Sequence, residues 1–377
     1  MIPLCVPNLG GNEAAYLQEC ITSTFVSSVG PFVDRLASLT AEAAGAAHAV
    51  PTSSGTTGLQ LALVAAGVGL GDLVVLPSFT FIASANAISH CGARPWLMDV
   101  DAGSWTLDPV LLRRMLETQA ERRGGALRHK ATGARVAAIM PVYTLGQPAD
   151  MDAIGAIARD FGLPVVADAA AALGARYKGR PVGAMGADLS VFSFNGNKTV
   201  TSGGGGAVLG NDPVQMALVA HLSTTARVGP AYDHDRVGFN FRMTNIQAAV
   251  GVAQLERADA LVAAKRRISA TYDQAFAGLA GVGRFPVPEW AESACWFSGL
   301  VLSSSVADLC QKLKIQGIEA RPFWKPIHRQ EPYRVAPATD MAVADGVWDR
   351  VVTLPCSTHL TDAEQSRVID AVREALS

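Results

Sequence analysis

The sequence predicts an α/β chain: a mostly parallel, seven-stranded sheet covered by helices, followed by a smaller C-terminal α+β domain. Three observations predict it. At 377 residues the chain exceeds one small domain and suits a large unit with a smaller partner. From about residue 45 to residue 210, apolar runs of strand length alternate with patterns of helix length. Beyond residue 210 that alternation gives way to a long helical pattern and Pro-rich pieces.

The strands are "HAVPTSSG", "DLVVLPS", "RPWLMDV", "RVAAIMPVY", "PVVADAA", "DLSVFSF" and "GAVLGND". Each is rich in Val, Ile, Leu or Phe and ends in small or polar residues, as strands buried on both faces do. Between most of them lie helix-length patterns such as "TTGLQLALVAAGV", "DPVLLRRMLETQ" and "DMDAIGAIARDFG". Crossovers of that length join parallel strands. Ligands of such sheets sit at the carboxyl ends of the strands, so chemistry is to be sought there. "NIQAAVGVAQLERADALVAAKRRISATYDQAFAGL" reads as one long helix leading into the small domain, whose strands are "WFSGLVLS" and "RVVTLPC". The expected division is a large domain over 1–249 and a small one over 250–377.

Composition narrows the function. Hydrophobic residues make up 49% and charged residues 17%, with a formal net charge of -2. Such a chain buries a sizeable core and offers no basic footprint for nucleic acid. Cys5, Cys20, Cys91, Cys295, Cys310 and Cys356 stand far apart and never as C-x-x-C, which argues against zinc and against a disulfide framework. "MIPLCVPNLGGNE" lacks a basic region followed by an apolar one, and no apolar stretch reaches the roughly 20 residues of a membrane helix. A soluble, cytoplasmic protein without metal, membrane or nucleic-acid partner is expected.

One lysine stands in a glycine-rich stretch, Lys198 in "VFSFNGNKTVTSGGGGAVLG". It is not a P-loop, because Asn197 separates Gly196 from Lys198 and the glycines lead into a strand rather than a helix. Gly203 to Gly206 open no helix either, so a dinucleotide fingerprint fails. A better anion cradle is "PTSSGTTGLQLAL", where Ser53, Ser54, Gly55, Thr56 and Thr57 join a strand to a helix. Free N–H groups and the helix dipole there bind phosphate, although Ser and Thr also make plain N-caps. Asp168 ends "PVVAD", where a carboxylate is costly without a cationic partner; it also reads as a cap for the following helix. Taken singly, Lys198 reads as a solvated surface lysine. Together the three change meaning. A cradle, a strand-end aspartate about 110 residues on and a lysine about 30 further on are what pyridoxal 5'-phosphate (PLP) requires: phosphate site, partner for a protonated ring nitrogen, and amine for the aldehyde.

The chain resembles the PLP-dependent sugar-nucleotide aminotransferases of the DegT/DnrJ type. The resemblance rests on "IPLCVPNLGGNEAAYLQECITSTFVSSVG", "SSGTTGLQLAL", "LPSFTFIASANAI", "GARPWLMDVD", "PVYTLGQPADMD", "FSFNGNK", "GGGG", "VGFNFRMTNIQAAVGVAQLERAD" and "RPFWKPIH", in that order. It implies the fold type I aminotransferase architecture, with Lys198 as the Schiff-base lysine and Asp168 as the pyridine-nitrogen partner. It further implies Ser193 as a phosphate ligand, Gly55 and Thr56 as the backbone cradle and Phe81 as the ring that stacks on the cofactor. Asn240 resembles an asparagine sent across a dimer interface to the neighbour's phosphate, which implies at least a homodimer. Ser28, Trp324, Lys325 and His328 are assigned to the nucleotide-sugar pocket, with a structural turn as the other reading of the last three.

Retention of Lys198, where a dehydratase branch carries histidine, implies transamination, with L-glutamate as donor and pyridoxamine phosphate formed in the cycle. The same blocks look most like members that aminate position 4 of a UDP-linked 4-keto-6-deoxy-N-acetylhexosamine on routes to surface polysaccharide. Amination at position 3, a GDP- or dTDP-linked sugar, and a PLP-binding regulator without turnover are the alternatives. One departure stands out: Ala171, three positions after Asp168, and Ala167 before it occupy places where the family often has polar or acidic residues.

Overall fold

The computed structural model describes residues 1–183 and 185–377. All seven expected strands form: β1 (His48–Thr52), β2 (Leu73–Pro77), β3 (Arg94–Met98), β4 (Val136–Ile139), β5 (Val166–Asp168), β6 (Leu189–Ser193) and β7 (Gly206–Gly210). Hydrogen bonding orders β1, β7, β6 and β5 on one side and β4, β2 and β3 on the other. Parallel bridges between Ile139 and Val165 and between Val142 and Asp168 join the two sets. β7 alone runs against its neighbours, antiparallel to both β1 and β6. The arrangement is a mostly parallel sheet with an antiparallel strand near one edge.

Alternation along the strands explains why both faces are covered. Leu73 and Val75 enter one core with Trp96, Ala167 and Phe192, whereas Val74 and Leu76 enter the other with Leu97, Val166 and Val191. A period of two with apolar residues at every position leaves neither face for water. The covering helices are α1 (Glu13–Ser23), α2 (Pro31–Ala44), α3 (Gly55–Ala65), α4 (Ile82–His90), α5 (Pro109–Gln119), α6 (Met151–Phe161) and α7 (Pro213–Ser223). α3 begins in a reciprocal capping box between Ser54 and Thr57. No helix of the described residues is long and apolar enough to cross a membrane.

The expected single long helix is two, α8 (Asn245–Leu255) and α9 (Ala258–Ala275), with a turn at Glu256 and Arg257. No Pro or Gly marks that turn. Glu256 instead accepts hydrogen bonds from Tyr16 (2.8 Å) and Asn12 (3.0 Å) and pairs with Arg35, so contacts to α1 and α2 redirect the chain. Beyond α9, a four-stranded antiparallel sheet is built from β8 (Val282–Gly283), β9 (Ser298–Leu302), β10 (Arg321–Pro322) and β11 (Val351–Leu354), in the order β8-β9-β11-β10. Helices α10 (Ala307–Ile315), α11 (Ala342–Val347) and α12 (Asp362–Leu376) accompany it. Ile2 and Leu4 join this third core, and the Ile2 N–H donates to Gly317 O at 2.8 Å, so the first residues pack with the C-terminal part. A hairpin that the strand reading passed over, Ala120–Arg123 with Ala126–His129, turns at Gly124 and Gly125, both at positive φ.

Candidate active site

The carboxyl ends of β1, β5 and β6 converge on a cavity of about 470 Å³. Its wall includes Gly55, Thr56, Phe81, Asp168, Ser193 and Lys198 from the large part and Trp296, Arg321 and Trp324 from the small one. The topology explains the meeting: β5 and β6 are neighbours in register, with Asp168 opposite Val191, and the lysine loop leaves the next residues of β6.

Asp168 is buried, and its carboxylate is fixed by two neutral donors. The Ser84 hydroxyl donates to Oδ2 at 2.6 Å and the Ala170 N–H to Oδ1 at 3.1 Å. Thr80 holds Ser84 in turn, 2.9 Å between the hydroxyls. Burial pushes the carboxyl above its usual range, opposed by those two hydrogen bonds and by the charge of Lys198. A buried carboxylate held this way is preorganised for a cation that enters the cavity.

Lys198 lines the cavity, partly accessible but crowded by protein. Its Nζ lies 3.6 Å from the centroid of the Trp296 ring. Burial lowers its pKa to about 8, against the pull of Asp168 and Cys5 in the other direction. Desolvation therefore outweighs the charge attraction, while the aromatic face beside the amine favours the ammonium. The loop is pinned through the Asn197 carbonyl, which accepts from the Trp296 indole at 2.8 Å and from the Cys5 thiol at 3.4 Å.

At the cradle, Ser54, Gly55 and Thr56 at the start of α3 line the cavity, and glycine is required by close approach. A Cβ on Gly55 would lie 2.8 Å from Ser193 Cβ, and one on Gly206 would lie 2.6 Å from Phe192 O and 2.8 Å from Gly55 N. Gly55→Ala should therefore cost about 1–3 kcal/mol from overpacking and weaken retention of an anion at the α3 N-terminus. Melting curves with and without PLP check it: the ligand-induced rise in Tm should shrink in the variant.

Phe81 keeps 53% of its surface exposed although it faces the cavity, 6.0 Å ring to ring from Trp324. The remaining expected residues are placed elsewhere. In the single chain Ser28, Asn240, Lys325 and His328 lie outside the cavity wall. Both ring nitrogens of His328 are engaged, Nδ1 with Ser78 Oγ at 2.7 Å and Nε2 with Asp345 Oδ1 at 2.9 Å. Asn240 is exposed between Phe239 and Phe241, whose rings stack 4.9 Å apart, so its side chain is free to face outward. Residues that sequence reasoning did not single out are Thr80, Ser84, Cys5, Trp296 and Arg321. "SFTFIAS" carried a weak signal for the first two, since its hydroxyls fall just before the coming helix and in its first turn.

A site that offers a fixed buried carboxylate, a helix N-terminus for an anion and an amine of lowered pKa fits PLP, and places the chain among the fold type I PLP-dependent enzymes. The chain belongs to the DegT/DnrJ/EryC1/StrS aminotransferase family, whose profile matches residues 7–373. It is 39% identical to the GDP-perosamine synthase of Caulobacter vibrioides over 100% of this chain and 98% of that one. It is 35% identical to the GDP-perosamine synthase of Vibrio cholerae, over 99% and 98%. A Streptococcus pneumoniae protein solved in its PLP form superposes with a TM-score of 0.88 at 26% identity, covering 100% of this chain and 98% of its own. The protein is thus a PLP-dependent aminotransferase, which speaks for turnover rather than for a cofactor-binding regulator.

Proposed function

We propose that the protein moves an amino group from L-glutamate to the 4-keto carbon of a nucleotide-linked 4-keto-6-deoxy sugar. The observation that carries the reading is Lys198 held beside the buried Asp168 in one cavity. GDP is the favoured nucleotide, because the relatives from Caulobacter vibrioides and Vibrio cholerae are both named for a GDP-linked amino sugar. The UDP-N-acetylhexosamine reading rests on the likeness of the sequence blocks and is the second choice. Residues 1–249 would hold the cofactor and residues 250–377 would close over the sugar nucleotide.

The roles follow from the geometry. Asp168 would keep a proton on the ring nitrogen of PLP, fixed in place by Ser84 and Ala170. Gly55, Thr56 and Ser193 would hold the phosphate, joined by Asn240 of a second copy, and Phe81 would cover the ring. PLP, when bound, supplies the electron-withdrawing ring that stabilises negative charge at the carbon losing its proton. The Lys198 amine takes that proton from the donor and later returns one to the sugar carbon. Trp324 and Arg321, which also line the cavity, would meet the nucleotide sugar, whereas Ser28, Lys325 and His328 lie outside its wall in the single chain.

The sign of the pH dependence is set by Lys198. A base must be neutral to accept a proton, and with a pKa of about 8 the ammonium dominates below that value. The glutamate half-reaction should therefore rise about tenfold per pH unit below about 8 and level off above it. A profile flat from about pH 6 to 9 would count against Lys198 as the base. Substrate is tested by incubating the protein with glutamate and GDP-, UDP- and dTDP-4-keto sugars and reading product mass. Amination of the UDP sugar alone would put UDP in the place of GDP, and amination of none would remove the proposal.

A further inference from the structure

Beneath the lysine loop lies a buried cluster that the amino transfer does not use. Lys265, on α9, is 1% exposed. Its Nζ donates to Trp296 O at 3.0 Å and Cys356 O at 2.7 Å, and lies 3.3 Å from Cys5 Sγ and 3.5 Å from Cys356 Sγ. The bonds of this buried ammonium go to two neutral carbonyls and two sulfurs. A buried cation is costly without an anion, and the thiols beside it are groups that can become one.

The backbone keeps the two cysteines together. The Cys356 N–H donates to Leu4 O at 2.8 Å and the Val6 N–H to Ser357 Oγ at 3.0 Å, so the segment carrying Cys5 is tied on both sides of that residue to 356 and 357. Cys356 is fully buried and Cys5 half-buried. The neighbouring Cys5 sulfur and the charge of Lys265 pull the Cys356 thiol down, whereas Cys5 is pushed up. The cluster thus brings two sulfurs and one cation within contact distance.

We propose that Cys5 and Cys356, with Lys265 between them, form an oxidation site that a small hydroperoxide closes to a disulfide. The Cys356 thiolate attacks the peroxide, the O–O bond breaks, the distal oxygen leaves as water or alcohol after taking up a proton, and Cys356 becomes a sulfenic acid. The Cys5 sulfur then attacks that of Cys356 and expels hydroxide, which leaves as water with the Cys5 proton. In sum, two thiols and one hydroperoxide give one disulfide, one alcohol (or water) and one water. The closure reaches the active site directly. The Cys5 S–H that donates to Asn197 O at 3.4 Å is lost, and Asn197 precedes Lys198.

The test treats the full-length, PLP-loaded protein with hydrogen peroxide and maps unreduced peptides by mass. The expected product joins the peptides of Cys5 and Cys356 and is lighter by two hydrogens than the two thiols. Cys91, whose thiol burial pushes up to about 12, should remain reduced at the same dose. Turnover should fall with cross-linking and return with dithiothreitol. Cys356→Ser should retain untreated turnover while losing both the cross-link and the sensitivity. Lys265→Met should slow cross-linking, because the cation beside both sulfurs is lost; if that variant does not fold, Cys356→Ser decides. Independent oxidation of the two cysteines without a cross-link, or a cross-link that contains Lys265, would overturn the proposal.

Discussion

Lys198→Ala is expected to lower kcat by about 10⁴-fold or more, the upper end of what a positioned acid–base group supplies. The amine is the group of the site with both the position and the pKa for the proton transfers: it faces the cavity, lies against Trp296, and is lowered to about 8 by burial. Alanine removes the amine without filling the space. Lys198→Arg should be equally inactive, because guanidinium stays charged at any working pH and cannot accept a proton. Neither change should unfold the protein, since the side chain is partly accessible and its loop is held by backbone carbonyls. The measurement is a single-turnover glutamate half-reaction beside a thermal melt. Turnover within tenfold of the parent at unchanged Tm would remove Lys198 from the chemistry.

Asp168→Asn is expected to lower kcat/KM by about 10²- to 10³-fold, the range seen when one preorganised electrostatic group is lost from an active site. The amide keeps the shape of the carboxylate but not its charge, so a proton on a ring nitrogen facing it loses its partner. Stability should move the other way or not at all. Burial pushes the carboxyl up in the free protein, and an uncharged side chain avoids that cost. A Tm equal to or above the parent's with activity lost marks a functional carboxylate; a large fall in Tm would mark a structural one. The bond from Ser84 is the point to watch, because its hydroxyl donates at 2.6 Å and must find an acceptor on the amide.

The strands were legible because each is apolar at nearly every position, a pattern that water-covered strands do not show. β2 illustrates it: Leu73, Val74, Val75, Leu76 and Pro77 are all buried, and successive residues feed two different cores. The turn at Glu256 was not readable, since the residues that make it, Asn12, Tyr16 and Arg35, lie more than 200 positions away. The hairpin at Ala120–His129 did carry a signal in its Gly-Gly pair, and charged residues on an exposed two-stranded piece hid it.

The active site divides in the same way. Lys198, Asp168 and the Gly55 turn could be read in combination, because each stands at the end of a strand or in the turn that follows one and strand ends are local, whereas Ser193 came only from the family resemblance. Ser84 beneath Asp168, Trp296 beneath Lys198, and the Cys5–Lys265–Cys356 cluster do not, because each partner arrives from a different part of the chain. By itself the sequence determined the sheet and its covering and brought Lys198 and Asp168 forward as candidates, since periodicity and strand ends act over a few residues. Which distant side chains lower the lysine, fix the carboxylate and crowd the thiols was decided only by tertiary packing, because desolvation and charge act through space and not along the chain.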